Sequence, residues 1–187
     1  EDVTVEMIQL YRKAKREGWT KAQFLQQAAQ IPGLYVPSLY AVSYTPDGRV
    51  AAVTPQEGAP AQVTKRIVTD MDRAYYPVKT IVPSTEITQD RVMLELFRGC
   101  IRGCRFCQAG MMYRPVRERS ADNIVNSVVC GLAQTGYDEV SLTSLSSTDH
   151  SQIADVLTRL NKQFQGKGVR VSVPSQRLDS FGVDMAG

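Results

Sequence analysis

Three cysteines stand close together in the middle of the sequence and carry its clearest chemical signal. They are Cys100, Cys104 and Cys107 of the segment RGCIRGCRFC, and their spacing is C-x3-C-x2-C. Thiolates are soft ligands that hold zinc or iron–sulfur clusters, and a cluster normally takes four of them. Three closely spaced thiolates leave one iron without a local protein ligand, and a catalytic metal site needs such an open position. The spacing therefore predicts an iron–sulfur cluster with one open iron.

Two other roles for these thiols stay open at this point. A structural zinc site takes four closed ligands, so it would need a donor besides the three cysteines. The fourth cysteine, Cys130, stands beside Val129 in a predicted helix, and we expect it in the core. The single histidine, His150, is expected at the surface or at the start of a helix. A thiol redox or disulfide role is the other alternative, although a chain without a visible export signal favours metal chemistry.

The residues around the cysteines resemble a known family. The segments that carry the resemblance are MLELFRGC (93–100), CQAG (107–110) and YRPVRERS (113–120), with IPGLYVP (31–37) and VTKRI (63–67) further upstream. They are similar to the radical S-adenosylmethionine (SAM) superfamily, within which they resemble a branch that carries a cobalamin-binding domain ahead of the radical domain. The reactions of that branch are generally uncharacterised. The cobalamin domain itself is not visible in this sequence.

The resemblance implies a mechanism and a set of cofactors. It implies that the cysteines hold three irons of a [4Fe–4S] cluster, while the amino and carboxylate groups of SAM chelate the fourth. One electron then breaks a sulfur–carbon bond of SAM and releases methionine and a 5′-deoxyadenosyl radical. A one-electron reductant such as a flavodoxin or ferredoxin is implied as a partner, with cobalamin as a further cofactor of the full-length protein. The substrate stays unknown, and no side chain is predicted as a catalytic acid, base or nucleophile.

Further cofactor contacts are implied at two predicted strand ends and beside the cysteines. The superfamily binds the amino group of SAM after its second strand, often through a glycine-rich acidic motif that this sequence lacks. Hydroxyls could serve there instead, or could only cap the following helix; they belong to Ser144, Ser146 and Ser147. After the third strand, the residues near the ribose and carboxylate would be Ser172, Ser175 and Arg177. Phe106 stands where the superfamily places an aromatic ring near the adenine, although packing against the cysteine segment is an alternative.

Arginine is concentrated around the cysteines. Six arginines lie between Arg98 and Arg119, against one acid, Glu118. Because the guanidinium fork binds carboxylates and phosphates, these side chains could contact the cofactor, an anionic substrate or a neighbouring domain. They could equally form salt bridges with acids elsewhere in the chain. Nucleic acid is not favoured as a partner of the protein, because these basic residues are not interleaved with aromatics over a wide face.

The elements that position these residues alternate between strand and helix. The apolar runs that predict buried strands are Arg91–Phe97, Asp138–Leu145 and Gly168–Val173. Between them, Ser120 caps a predicted helix over residues 121–134 that Gly136 ends, and a second helix is predicted over residues 149–165. This order predicts parallel βαβ units with right-handed crossovers. The cysteines would then follow the carboxyl end of the first strand, where such folds place active sites.

The first ninety or so residues have a different pattern. They predict a helix over residues 4–16 with one apolar face, and a second from the Thr20 capping box to Ile31. The face of the first helix consists of Val5, Ile8, Tyr11 and Ala14. A hairpin is predicted from strands over residues 39–45 and 49–54, with a third short strand over residues 62–67. The fold class is therefore α/β. A small helical and β subdomain, residues 1–90, precedes the first half of a radical-SAM-type partial βα barrel, residues 91–187.

Bulk composition leaves two classes of function open. The 187 residues are 43% hydrophobic and 22% charged with a net charge of +3, which is ordinary for a globular domain. No apolar run approaches the roughly 18 residues of a membrane span, so we expect a cytoplasmic protein without a membrane partner. The start at Glu1 and the presence of only three barrel strands suggest a truncated piece of a longer protein. A radical enzyme is favoured, and the alternative is a non-catalytic iron–sulfur or zinc module for electron transfer or nucleic-acid binding.

Overall fold

A computed structural model describes residues 2–177 and 179 of the chain. The chain divides into two units, unit 1 at Glu1–Val68 and unit 2 at Thr69–Gly187. The irregular segment 69–90 belongs to unit 2, because its residues bond to the sheet that follows it: the Tyr76 hydroxyl donates to the Met93 carbonyl at 3.0 Å. Among the described residues, no helix has both the length and the apolar character needed to cross a membrane.

Unit 1 begins with two helices. Helix α1 spans Asp2–Glu17 and helix α2 spans Lys21–Ala28. The predicted apolar face of α1 is not a core face: Ala14 is buried, whereas Val5, Ile8 and Tyr11 are exposed. The partner helix α2 has only eight residues, so it covers a narrow strip of the longer helix. Along that strip the Tyr11 and Phe24 rings meet edge to face at 5.7 Å.

Local hydrogen bonds fix both ends of α2. The predicted capping box is confirmed, since the Thr20 hydroxyl accepts from the Gln23 amide and the Gln23 side chain accepts from the Thr20 amide. The helix ends at Ala28, earlier than the predicted Ile31. Tighter bonds between residues three apart replace the helical pattern there, with Ile31 N donating to Ala28 O at 3.0 Å. Ile31 precedes a proline, which disfavours helical angles.

The predicted hairpin of unit 1 is confirmed. A short 3₁₀ turn at Pro37–Leu39 leads into strand β1, Tyr40–Tyr44, which pairs antiparallel with β2, Val50–Pro55. The predicted third strand over residues 62–67 is wrong, because that segment pairs with neither hairpin strand. It instead packs against the turn at Gly33. A Cβ atom added to Gly33 would lie 3.3 Å from the backbone nitrogen of Arg66.

A three-stranded parallel sheet forms the centre of unit 2, as predicted. Its strands are β3 (Val92–Glu95), β6 (Glu139–Thr143) and β7 (Arg170–Ser172), and β6 lies between the other two. The first predicted strand, residues 91–97, is divided. Phe97 turns away from the sheet into β4 (Phe97–Arg98), which pairs antiparallel with β5 (Arg117–Glu118). The residues between β4 and β5 therefore form a loop whose two ends are paired with each other, and this loop contains the three cysteines.

Two helices cover the sheet and complete its core. Helix α4 spans Ala121–Thr135 between the predicted Ser120 cap and a left-handed Gly136, and α5 spans Ile153–Phe164. A single turn of helix, α3 (Ala109–Met112), follows the cysteines. The second predicted helix starts later than expected, because residues Ser147–Asp149 form a separate 3₁₀ turn. Side chains from the sheet and both helices meet in one fully buried core: Leu94, Leu142, Ile124, Val128, Val156 and Leu160.

Candidate functional site

The cysteine loop, which we define as residues 99–108, leaves β4 beyond the carboxyl end of β3. Its three thiols, on Cys100, Cys104 and Cys107, are all partly buried and free of disulfides. A turn closes the second half of the loop, where the Cys107 amide donates to the Cys104 carbonyl at 3.0 Å. All three thiols thus lie on one short loop at the edge of the sheet where βα folds place their active sites.

Two glycines give the cysteine loop its path. Gly99 has φ +97° and Gly103 has φ +64°, and both angles lie in the left-handed region that favours glycine. Space is also limiting at Gly99: a Cβ atom there would lie 2.6 Å from the Pro115 carbonyl oxygen and 2.8 Å from that of Tyr113. The loop therefore leaves β4 in close contact with the chain that returns into β5.

We expect Gly99→Ala to destabilise unit 2 by about 3 kcal/mol, since it combines a left-handed backbone with an overpacked contact. The matched control is Gly136→Ala. Gly136 also has a positive φ, of +75°, but a Cβ atom there would meet nothing within 4 Å. The free energy of unfolding of the control variant should fall by only about 1 kcal/mol. Urea unfolding monitored by circular dichroism measures both, and equal losses would show that the close approach at Gly99 does not matter.

Ionic and backbone contacts join the loops that follow the three parallel strands. Arg102 of the cysteine loop donates through Nε to Asp149 Oδ2 at 2.8 Å and through Nη2 to Oδ1 of the same carboxylate. Asp149 ends the 3₁₀ turn after β6. In that same turn the Ser147 amide donates to the carbonyl of Ser175, after β7, at 3.0 Å. The cysteine loop and the segments after β6 and β7 therefore meet at one edge of the sheet.

The charges at this edge are arranged as two ion pairs. Hydrogen bonding from Arg102 lowers the pKa of Asp149 despite partial burial, which acts in the opposite direction. Arg177 forms the second pair: its Nε and Nη2 donate to Asp179 at 2.9 and 2.6 Å, and this hydrogen bonding lowers the pKa of the Asp179 carboxyl. Both carboxylates consequently stay charged at neutral pH and hold their arginines in place.

The Arg102–Asp149 pair predicts a stability change with pH. A carboxyl whose pKa is lower in the folded chain stabilises the fold above its unfolded pKa, about 3.9 for aspartate, and this contribution is lost as the pH falls through the folded pKa. Asp149→Asn should therefore lower the thermal unfolding midpoint at pH 7, and the gap to the parent chain should close below about pH 4. The control is Asp155→Asn, which removes an exposed pair with Arg159 and should change little. A pH-independent gap for Asp149→Asn would contradict the assignment.

The predicted serines after β6 fall into two groups. Ser144 and Ser147 bond to each other through their hydroxyls at 2.9 Å, and the Ser147 hydroxyl also donates to the Leu142 carbonyl at 3.2 Å. These two hydroxyls hold the turn together. Ser146 is buried, and its hydroxyl has no regular hydrogen-bond partner among the described residues, although it lies near enough to Asp149 to favour the charged carboxylate. The Ser146 hydroxyl thus has Asp149 as a neighbour but no hydrogen bond of regular geometry.

The other predicted contacts are placed around the same edge. Ser172 is the last residue of β7 and pairs with Ser141 in the central strand. Ser175 is exposed and has a left-handed φ of +58°, and the Arg177 amide donates to Thr148 Oγ1 at 3.5 Å. The Phe106 side chain is 93% exposed, so packing against the cysteine loop does not hold it.

Most of the arginines around the cysteines are engaged within the protein. Arg98 pairs with Glu95 at 2.9 Å, Arg117 donates to the Pro115 carbonyl at 2.9 Å, and Arg102 binds Asp149. Arg119 is only 2% exposed and donates to the backbone carbonyls of Glu95 and Met71. For these four side chains, contact with the chain itself is the observed role.

One expectation about an individual residue is wrong, and another holds only in part. Cys130 is exposed and not in the core, because it lies two positions beyond the buried Val128 on α4 and so faces away from it. His150 is 2% exposed, so the predicted surface position is wrong. The alternative, a place at the start of a helix, agrees with the structure, because the Ile153 amide that begins α5 donates to the His150 carbonyl at 3.2 Å. Its Nε2–H donates to the Arg119 carbonyl at 2.9 Å and its Nδ1 accepts from the Gln152 amide at 3.1 Å. Because both ring nitrogens are hydrogen-bonded, His150 is a satisfied core residue.

The donor set can be compared with what a cluster needs. Among residues 2–177 and 179, no three histidine, cysteine, aspartate or glutamate side chains come together to hold a single metal ion. A [4Fe–4S] cluster makes a different demand, since each thiolate binds its own iron. It needs soft donors on a loop that can wrap around it, and a neighbouring edge where a ligand reaches the open iron. The partly exposed thiols, the left-handed glycines and the unsatisfied Ser146 hydroxyl fit that demand.

Comparison with known proteins agrees with the chemistry of the loop. Residues 94–186 match the family model described as the radical SAM superfamily. An uncharacterized protein of Methanocaldococcus jannaschii is 28% identical over 131 residues, an alignment that covers 65% of this chain and 29% of that protein. The chain therefore spans less than a third of the length of this curated relative.

Proposed function

Residues 94–186 of the chain belong to the radical SAM superfamily, and from this premise we propose that Cys100, Cys104 and Cys107 bind a [4Fe–4S] cluster in an enzyme that cleaves SAM reductively. The observation that carries the proposal is the C-x3-C-x2-C loop at the carboxyl edge of a parallel sheet, inside the region that matches the family. When bound, the reduced cluster supplies the electron that splits SAM into methionine and a 5′-deoxyadenosyl radical.

The chain's own residues would position SAM at this edge. The three thiolates would hold three irons of the cluster and leave the fourth open to the amino and carboxylate groups of SAM. Of the candidate serines, Ser146 is the best suited to contact the cofactor, because the hydroxyls of Ser144 and Ser147 already bond to each other. Ser172, Ser175 and Arg177 would lie towards the ribose and carboxylate. The exposed ring of Phe106 offers the adenine a surface to stack on.

The proposal also covers the fold around the sheet, the electron donor and a second cofactor. We take the sheet β3–β6–β7 as the beginning of a partial βα barrel, which follows a smaller N-terminal domain along the chain. A flavodoxin-like or ferredoxin-like protein of the cytoplasm would supply the electron. Cobalamin would bind to another part of the full-length protein. The substrate of the radical is left open.

Product analysis tests the proposal. The chain, and a longer form if one is available, is reconstituted with iron and sulfide without oxygen, reduced with dithionite and incubated with SAM. We expect 5′-deoxyadenosine and methionine in equal amounts, and neither product from the Cys104→Ala variant. An iron-loaded chain that forms neither product would support the alternative, a non-catalytic electron-transfer module. A chain that takes up zinc and no iron would overturn the radical chemistry and support the other form of the alternative, a zinc-binding module.

A further inference from the structure

A cluster of positively charged side chains in unit 1 forms no ion pairs with acidic side chains of the described residues. Residues 11–21 contain five cations against one acid, Glu17. We call the five cations the basic surface: Arg12, Lys13, Lys15, Arg16 and Lys21. All five are exposed, and none forms an ion pair among residues 2–177 and 179. The arginines of this unit outside the surface behave differently, since Arg49 pairs with Asp47 and Arg66 with Glu6.

Helix stability explains only part of this charge. Lys15 and Arg16 lie in the last turn of α1, where cations interact favourably with the partial negative charge of the helix end. Arg12 and Lys13 stand further from that end, and Lys21 opens α2, where a cation is unfavourable. The remaining cations therefore need another explanation, and an anionic partner provides one.

Aromatic rings are interleaved with these cations. The Lys15 ammonium lies 5.8 Å from the centre of the Tyr11 ring, and the Lys13 ammonium lies 5.4 Å from that of the Trp19 ring. Tyr11 remains half-exposed. Rings flanked by cations are the platform on which proteins stack the bases of single-stranded nucleic acids while they neutralise the phosphates.

Two grooves next to the rings repeat the same combination of side chains. One has a volume of about 410 Å³ and is lined by Tyr11 with Gln9, Arg12, Lys15 and Arg16. The other has a volume of about 350 Å³ and is lined by Trp19 with Lys13, Gln23, Gln26 and Gln27. Each combines one ring, at least one cation and at least one glutamine. Glutamine amides both donate and accept, as the edges of bases require.

We propose that unit 1 binds single-stranded nucleic acid on the basic surface, with bases stacked against Tyr11 and Trp19. An anionic membrane is the less suitable partner. A membrane-binding helix carries its apolar and cationic residues on opposite faces along its length. In α1 the exposed apolar residues Val5 and Ile8 lie towards the start of the helix and the cations towards its end, and glutamines line the grooves. This inference is independent of the proposed radical chemistry.

The test uses the whole chain and a fluorescent oligouridylate of about 12 nucleotides, within the range of such sites. Trp19 is the only tryptophan, so its emission reports locally on stacking. We expect the oligonucleotide to quench this emission and to bind with a marked dependence on salt. Arg12→Gln, Lys15→Gln and Arg16→Gln together should weaken binding by about tenfold or more and reduce the salt slope by about 2. An oligodeoxyuridylate of equal length distinguishes RNA from DNA.

The matched control removes the same charge from unit 2, through Lys79→Gln, Lys162→Gln and Lys167→Gln. These three lysines are exposed, and their variant should keep the parent affinity and salt slope. Equal weakening by both triple variants would assign the binding to net charge alone and overturn the proposal. Unquenched Trp19 emission with either oligonucleotide would also overturn it. Binding to phosphatidylglycerol vesicles but to neither oligonucleotide would overturn the proposal as well.

Discussion

Alanine in place of Cys100, Cys104 or Cys107 should reduce the iron bound after anaerobic reconstitution from about four per chain to well below one. Each thiolate would hold one iron, and the structure offers no fourth cysteine on the loop to replace a lost one. Acid-labile sulfide should fall in parallel, because sulfide is retained only in an assembled cluster. Colorimetric iron and sulfide assays on the purified variants measure the effect.

Cys130→Ala is the matched control for these variants. Cys130 is an exposed thiol on α4 and stands apart from the cysteine loop in the sequence. Its replacement removes a cysteine without touching the loop, so iron and sulfide should stay at the parent level. Loss of iron from Cys130→Ala as well, or retention of a full complement by Cys104→Ala, would contradict the assignment of the three ligands.

The second large effect is on stability, and it concerns Arg119. Its buried guanidinium donates to the carbonyls of Met71 and Ala74 and to that of Glu95, so it joins the irregular segment 69–90 to the sheet. Arg119→Met should cost about 4 kcal/mol, because it leaves several buried carbonyls without donors. That is a large part of the 5–15 kcal/mol by which domains are typically stable. Urea unfolding of the variant measures the loss.

Arg73→Met is the control for Arg119. Arg73 belongs to the same irregular segment, but its side chain is exposed and its pair with Asp70 lies at the surface, at 3.4 Å. Its replacement should change the free energy of unfolding by no more than about 0.5 kcal/mol. The loss of unfolding free energy in Arg119→Lys should lie between those of Arg119→Met and Arg73→Met. One ammonium group cannot reach all the carbonyls that the guanidinium of Arg119 reaches. Equal stability of Arg119→Met and Arg73→Met would show that the buried bonds contribute nothing.

Elements whose limits are encoded locally could be predicted from the sequence. Helix α4 is the clearest case, because the Ser120 hydroxyl accepts from the Asn123 amide at its start and Gly136 takes the left-handed angle at its end. The presence of a strand at β6 also follows from a local pattern, since its buried residues Val140 and Leu142 alternate with polar ones between two helical segments. The cysteine spacing is equally local, and it pointed to the chemistry of the loop.

Features that depend on distant contacts could not be predicted in this way. His150 is buried only because the Arg119 carbonyl and the start of α5 surround it, and no neighbour in the sequence indicates this. The Arg102–Asp149 pair joins residues 47 positions apart. The segment 62–67 has the composition of a strand, but in the fold it meets the Gly33 turn and not the hairpin edge. For Cys130 a local signal did exist, since two positions on a helix turn a side chain to nearly the opposite face.

The most direct test of the central claim is the electron paramagnetic resonance spectrum of the reduced, iron-loaded chain before and after addition of SAM. If SAM ligates the open iron left by Cys100, Cys104 and Cys107, the g values and line shape should change at saturating SAM, because a new ligand alters the surroundings of that iron. The spectrum should return towards its starting form when SAM is removed by gel filtration. An iron-loaded chain whose spectrum is unchanged at saturating SAM would contradict the account.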